Sequence, residues 1–254
     1  MPGTTLVVPC YNEAARLDTA AFTTFLASRS DARLIFVNDG SRDATLGVLE
    51  RIRSSAPGCI DVVNLPKNGG KAEAVRRGVL RALESDAEFI GYWDADLSTP
   101  LDASDQFARL LRERPTIDVV MGSRVQLLGR TIVRRAARHY MGRVFATAAS
   151  TTLGIPVYDT QCGAKLFRSS PRLRHVFEQP FRSAWAFDVE IIARYGALSR
   201  GYAPDQLREM IYEVPLDEWR HVGGSTVRPF DLVLALLDLT KIYKAYVRRA
   251  RSHE

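Results

Sequence analysis

Short apolar, β-branched runs alternate along the first half of the chain with segments whose apolar residues recur every three or four positions. Thr4–Pro9 reads as a buried strand and Ala14–Ser28 as a helix. Further strands are predicted at Leu34–Asn38, Asp61–Leu65, Glu88–Trp93 and Ile117–Met121, with helices at Ala44–Ser54, Lys71–Glu84 and Ser104–Arg112. In the Lys71–Glu84 segment, Ala74, Val75, Val79 and Leu83 share one helical face. This alternation predicts an α/β fold, a mostly parallel sheet flanked by helices. The second half is less regular, with amphipathic helical patterns from Arg130 to about Thr152 and from Pro229 to about Arg249.

Open sheets of this kind bind ligands beyond the carboxyl ends of their strands. The predicted exits are Pro9-Cys10-Tyr11-Asn12-Glu13, Asn38-Asp39-Gly40-Ser41, Lys67-Asn68-Gly69-Gly70-Lys71 and Asp94-Ala95-Asp96-Leu97-Ser98. All four are polar or glycine-containing, and all would crowd one edge. Asp94 and Asp96 offer hard oxygen ligands for Mg²⁺ or Mn²⁺. A nucleotide-sugar donor needs such help, because charge accumulates on its diphosphate as the glycosidic bond breaks. Taken singly, a DxD string also reads as a solvated acidic turn; its place after the apolar run Phe89–Trp93 favours the metal site. Asp39 can accept hydrogen bonds from a nucleobase or ribose, or cap the helix near Ala44, although Ser41 or Asp43 suits capping better. Asn68-Gly69-Gly70-Lys71 reads either as a phosphate-binding turn before a helix N-terminus or as a plain turn. It lacks the spacing of a Walker loop.

With 254 residues, 46% hydrophobic and 25% charged, the chain can bury one substantial core. Cys10, Cys59 and Cys162 are odd in number and match no zinc pattern, so a reducing, cytoplasmic compartment without disulfides is expected. No signal peptide is expected at the start, and no window approaches the roughly 18–20 apolar residues that span a bilayer. A net charge of +6 points to an anionic partner. No acidic residue falls between Val119 and Tyr158, whereas Arg124, Arg130, Arg134, Arg135, Arg138 and Arg143 do. Arg130, Arg134 and Arg138 fall four residues apart, on one face of the predicted helix. Such a basic amphipathic helix either lies on an anionic membrane surface or presents a solvated face. The basic end of the last helix, with Lys241, Lys244, Arg248, Arg249 and Arg251, carries the same two readings. Zinc-finger, helix-turn-helix and aromatic RNA-binding signatures are absent, so no nucleic-acid partner is expected. A nucleotidyltransferase would open on a glycine-rich, arginine-containing loop rather than on Pro9–Glu13.

Read together, Val8–Glu13, Val37–Ser41, Asn68–Ala72 and Asp94–Ser98 resemble family 2 glycosyltransferases. Gly122-Ser123-Arg124, Asp159–Gly163 and Trp185–Glu190 look like the branch of dolichyl-phosphate β-glucosyltransferases and related polyprenyl-phosphate glycosyltransferases. The resemblance runs from about residue 4 to 226. It implies a GT-A fold, an inverting mechanism and a divalent metal, Mg²⁺ or Mn²⁺. It also implies a UDP-sugar donor, UDP-glucose, and a polyprenyl phosphate acceptor met at the cytoplasmic membrane face. By the same resemblance Pro9, Tyr11, Glu13 and Asp39 hold the uridine, Lys71 lies near the nucleotide, and Asp94 and Asp96 bind metal and diphosphate. Arg124, Arg134 and Arg138 meet the acceptor phosphate. Asp159, Gln161, Asp188 and Glu190 line the sugar and acceptor site, with Arg124, Asp159 and Asp188 among the catalytic set and Trp219 on a closing loop. A nucleotide half would cover about 1–125 and an acceptor half about 126–226, followed by the basic helix at 227–254. Eukaryotic members carry an N-terminal membrane anchor without counterpart in these residues. Thr226 stands where the family usually has lysine, so a transferase acting on a soluble or hydroxyl acceptor is the alternative expectation.

Overall fold

The computed structural model describes residues 3–133, 136–199, 202–220, 222 and 229–251. One sheet of seven strands forms its centre: β1 (Thr4–Cys10), β2 (Ala32–Asp39), β3 (Ile60–Leu65), β4 (Phe89–Trp93), β5 (Val119–Ser123), β7 (Ala164–Arg168) and β8 (Ile211–Pro215). Their order across the sheet is β3-β2-β1-β4-β7-β5-β8. β7 is the exception to the parallel run: it lies antiparallel between β4 and β5. A two-stranded parallel ribbon joins β6 (Thr131–Ile132) to β9 (Glu218–Trp219).

Successive strand side chains point to opposite faces, so each central strand feeds two cores. Val7, Ile35, Val37, Ile90 and Tyr92 pack on one face beneath α3 (Lys71–Ala82), α5 (Ala136–Leu153), α6 (Pro171–Glu178) and α7 (Phe187–Ala197). Leu6, Val8, Leu34, Phe36 and Phe89 pack on the other, beneath α1 (Thr19–Ala27), α2 (Thr45–Ser55) and α4 (Ala103–Glu113). Both faces being covered explains why the strands read as nearly continuous apolar runs. α8 (Pro204–Met210) leads into β8. α9 (Pro229–Ile242) packs on α5 and α7, then continues as a π-helical stretch, Tyr243–Arg248, and a last α-turn. Its Ala235, Leu239 and Ile242, with Val247, belong to the first core.

Two predicted helices start later than the apolar periodicity indicates. The first begins at Thr19, because Asp18 caps it by accepting from the Ala21 amide at 3.0 Å. The segment predicted to be helical from Arg130 opens instead with β6, whose β-branched Thr131 and Ile132 pair with Glu218 and Trp219. Arg130 is therefore off the helix, donating to the Pro215 carbonyl at 3.1 Å and ion-paired with Asp217.

Candidate active site

β1, β2 and β4 are parallel neighbours and end at one edge. The loops there are tied to each other. The Asn12 amide donates to Ser41 Oγ at 3.0 Å, the Arg42 amide to Asn12 Oδ1 at 2.9 Å and the Glu13 amide to Thr45 Oγ1 at 2.8 Å. Glu13 is buried and its carboxylate is paired with Arg16; Tyr11 is 40% exposed and Pro9 half-buried. Asp39 is buried and accepts from the Gly69 and Gly70 amides at 2.7 and 2.8 Å. It thereby fixes the turn that leads into α3. Each oxygen still has a lone pair for an outside donor. Pro9, Tyr11, Glu13 and Asp39 stand beside, not within, the cavity at the end of β4.

There the Asp94 amide donates to the Gly163 carbonyl at 3.0 Å and Leu97 takes a left-handed φ of 51°. That tight turn brings Asp94 and Asp96 onto the same cavity, of about 370 Å³. Lys71 Nζ lies 2.5 Å from Asp94 Oδ1, and the Ser98 amide donates to Asp96 Oδ1 at 2.9 Å. Burial pulls the Lys71 pKa down, but Asp94, Asp188 and Asp96 outweigh it and hold the ammonium above its usual range. Gly163 has no side chain for a reason: a Cβ there would overlap the Asp94 carboxylate.

The cavity's far side comes from the second half of the chain. Arg124, after β5, makes a bidentate pair with Asp159, Nε to Oδ2 at 2.6 Å and Nη2 to Oδ1 at 2.7 Å. Its amide also donates to Oδ2, at 3.1 Å, and the Gln161 amide to Oδ1, at 3.3 Å. Burial disfavours the Arg124 charge, and the Asp159 carboxylate more than restores it. Trp219, buried on β9, lies under the guanidinium at 5.3 Å, so it packs against Arg124 in the ribbon. Asp188, in the first turn of α7, accepts Lys165 Nζ at 2.6 Å and the Tyr92 hydroxyl on Oδ1. Burial, then Asp188, pushes the Tyr92 phenol well up. Glu213 of β8 accepts from the Tyr158 and Asp159 amides at 2.7 and 2.8 Å and so holds that loop from behind. Burial raises its pKa against the opposing effect of those bonds.

Glu190 requires a correction. It is fully buried away from the cavity, bonded to Arg194 at 2.8 Å, the Tyr246 hydroxyl at 2.8 Å and the Arg182 and Ser183 amides. Two residues along a helix turn about 200°, so Asp188 reaches the cavity while Glu190 faces the interior. Arg134 and the Arg138 side chain lie outside the described residues. Tyr92, Arg143, Lys165 and Glu213 are absent from the sequence-based site. Lys165 left a signal, a lone lysine in an apolar strand, and Arg143 lies in the acid-free basic stretch; Tyr92 and Glu213 left none.

This edge, with its paired carboxylates, lysine and adjoining cavity, has the arrangement of a transferase of the GT-A class. The sequence matches Glycosyl transferase family 2 over residues 5–173, and the chain belongs to that family. Among its relatives, a dolichyl-phosphate β-glucosyltransferase of Trichomonas vaginalis is 32% identical over 252 residues, 94% of this chain and 70% of that one. The enzyme of that name from Homo sapiens is 29% identical, over 89% of this chain and 69% of its own. A Mycobacterium tuberculosis glucosyl-3-phosphoglycerate synthase shares the fold, with a TM-score of 0.64 at 18% identity, covering 97% of this chain and 81% of that one. That synthase has also been crystallised with Mn²⁺, UDP and glucosyl-3-phosphoglycerate.

Proposed function

We propose that the protein transfers glucose from UDP-glucose to the phosphate of a polyprenol, dolichol or a relative, with inversion at the anomeric carbon. The observation that carries this reading is the state of Asp159. A carboxylate offers about four lone-pair sites, and Arg124 and Gln161 occupy all four through Nε, Nη2 and two amides. Asp188 gives one oxygen to Lys165 and Tyr92. Asp159 is thus not placed as a free general base, which a hydroxyl acceptor needs. A phosphomonoester needs none, since its second ionisation lies at about pH 6. Its oxygen attacks the sugar carbon as the bond to UDP breaks, and no proton has to be removed.

The residues fit a divalent cation. Asp94 and Asp96 are partly exposed oxygen donors on one wall, and each keeps one oxygen without a protein partner among the described residues. No third His, Cys, Asp or Glu joins them among the described residues, so diphosphate and water would complete the shell, as is usual for Mg²⁺. When bound, the ion supplies charge stabilisation to the departing diphosphate. Lys71 adds a second cation there, while Pro9, Tyr11, Glu13 and Asp39 form the uridine shelf and Asp188 Oδ2 is left to meet the sugar. We place the donor half at about 1–125 and the acceptor half at about 126–226.

No helix among the described residues is long and apolar enough to cross a membrane. Leu128, Val133, Tyr140 and Val144 are exposed around the start of α5, and Leu234 and Leu237 on α9, ahead of exposed Lys241, Lys244 and Arg248. That arrangement supports a peripheral position on an anionic cytoplasmic membrane face. Incubation with UDP-glucose, a polyprenyl phosphate and Mg²⁺ or Mn²⁺ is expected to yield lipid-linked glucose. Glucosylation of a soluble acceptor with no lipid product would overturn the reading.

A further inference from the structure

Among the described residues, three cations line the cavity: Lys71, Arg124 and Arg143. The first two are neutralised in place, Lys71 by Asp94 and Arg124 by Asp159. Arg143, on the second turn of α5, has no carboxylate partner among the described residues. It donates Nη1 to the Tyr158 carbonyl at 2.9 Å and stacks on the Tyr158 ring, its Cζ 4.0 Å from the centroid. A guanidinium has five N–H donors, so most of its capacity is left over. Its position is nonetheless held, because the Tyr158–Asp159 peptide it grips is anchored at the Asp159 amide by Glu213. Nearby, Gln161 also lines the cavity, and its Nε2 is buried without a hydrogen-bond partner among the described residues. Buried donors without acceptors are uncommon in folded proteins. Met141, Phe145 and Trp185 give this part of the cavity an apolar wall.

We propose that Arg143 receives the phosphomonoester of the acceptor, in place of Arg124, which the family resemblance sets there together with Arg134 and Arg138. An uncompensated guanidinium held by stacking is suited to bidentate binding of phosphate. Arg124 is then a positioning residue that locks Asp159 and the loop behind it. The inference rests on the proposed function for its acceptor class. The shared chemistry is a phosphomonoester, whether a lipid headgroup or a small soluble phosphate, and the apolar wall favours one attached to a hydrocarbon chain.

Binding can be read without turnover, from the fluorescence of the cavity's Trp185 on titration with geranyl phosphate or with glycerol phosphate. The intact chain is expected to bind geranyl phosphate more tightly. Arg143→Ala should weaken binding roughly 10- to 100-fold, the scale of charge-assisted hydrogen bonds, and Arg143→Lys, which keeps the charge but loses the fork, should fall between. Binding of UDP-glucose should change less than about twofold in both variants, which also reports that they are folded. Unchanged geranyl phosphate affinity in both variants overturns the proposal, even if the intact enzyme makes lipid-linked glucose. Arg143-dependent binding in an enzyme that glucosylates no lipid phosphate upholds the subsite and removes the proposed function instead. Equal affinity for glycerol phosphate overturns the lipid source.

Discussion

Lys165 Nζ lies 2.6 Å from Asp188 Oδ1, and the lysine is fully buried. Its other two donors go to the Thr160 and Cys162 carbonyls at 2.9 and 2.7 Å. One ammonium thus holds both the Asp159–Gly163 loop and the Asp188 carboxylate at the cavity. Breaking a buried pair from one side leaves an uncompensated charge, which costs about 3–5 kcal/mol. Lys165→Met is expected to lose stability on that scale in urea denaturation. Adding Asp188→Asn should restore much of the stability but none of the activity; a double variant as unstable as the single one would refute the pairing as the cause.

The metal assignment makes a prediction that alters no ligand. Gly163→Ala would push a methyl group into the Asp94 carboxylate. Its activity should fall like that of Asp94→Asn or Asp96→Asn, on the order of 100-fold or more, the scale of losing one contact to a developing charge. The thermal shift that Mn²⁺ and UDP together give the intact protein should shrink in all three. A normal shift in Gly163→Ala would show that the carboxylate position is not critical.

A phosphate acceptor has a signature in pH. The acceptor kcat/KM should rise as pH passes about 6, where the phosphomonoester takes its second charge, and then level off. Asp159→Asn, which breaks the grip on Arg124, should lower the rate without moving that limb. A limb that disappears in Asp159→Asn or Asp188→Asn would assign it to a protein base and favour a hydroxyl acceptor.

Glu213 carries the pH dependence of stability in the opposite sense to a salt-bridged carboxylate. Burial raises its native pKa above the ordinary 4.5, so the native state binds this proton more tightly than the unfolded chain. Its contribution therefore grows as pH falls through the native value and levels off below the unfolded one. Relative to Glu213→Gln, the unaltered chain should gain stability over that window in denaturation series. A difference that is flat in pH would contradict the raised pKa.

The donor side was legible in the sequence because parallel strands buried on both faces leave apolar runs, and the polar residues after each run land on one edge. On the far side of the cavity, family resemblance alone named Arg124, Asp159, Gln161, Asp188 and Trp219, because the pairing of these residues depends on partners far apart in the chain. Six arginines between Val119 and Tyr158 look alike until Asp159 is seen to neutralise Arg124, while no carboxylate among the described residues pairs with Arg143. Arg130 looked helical because its spacing matched Arg134 and Arg138, but pairing of Thr131 and Ile132 with the distant Glu218 and Trp219 decided the local structure. Asp188 and Glu190 share one motif, yet the turn of α7 separates their roles.

β7 runs against its neighbours, so it begins where β4 ends, and the Asp94 amide bonds directly to Gly163. The loop proposed to face the second substrate and the carboxylate proposed to face the first thus belong to one hydrogen-bonded strand pair. Donor and acceptor preference cannot be exchanged as separate modules in such an enzyme. A chimera that imports residues 158–163 from a relative of different acceptor range inherits a displaced Asp94 unless the end of β4 is imported with it.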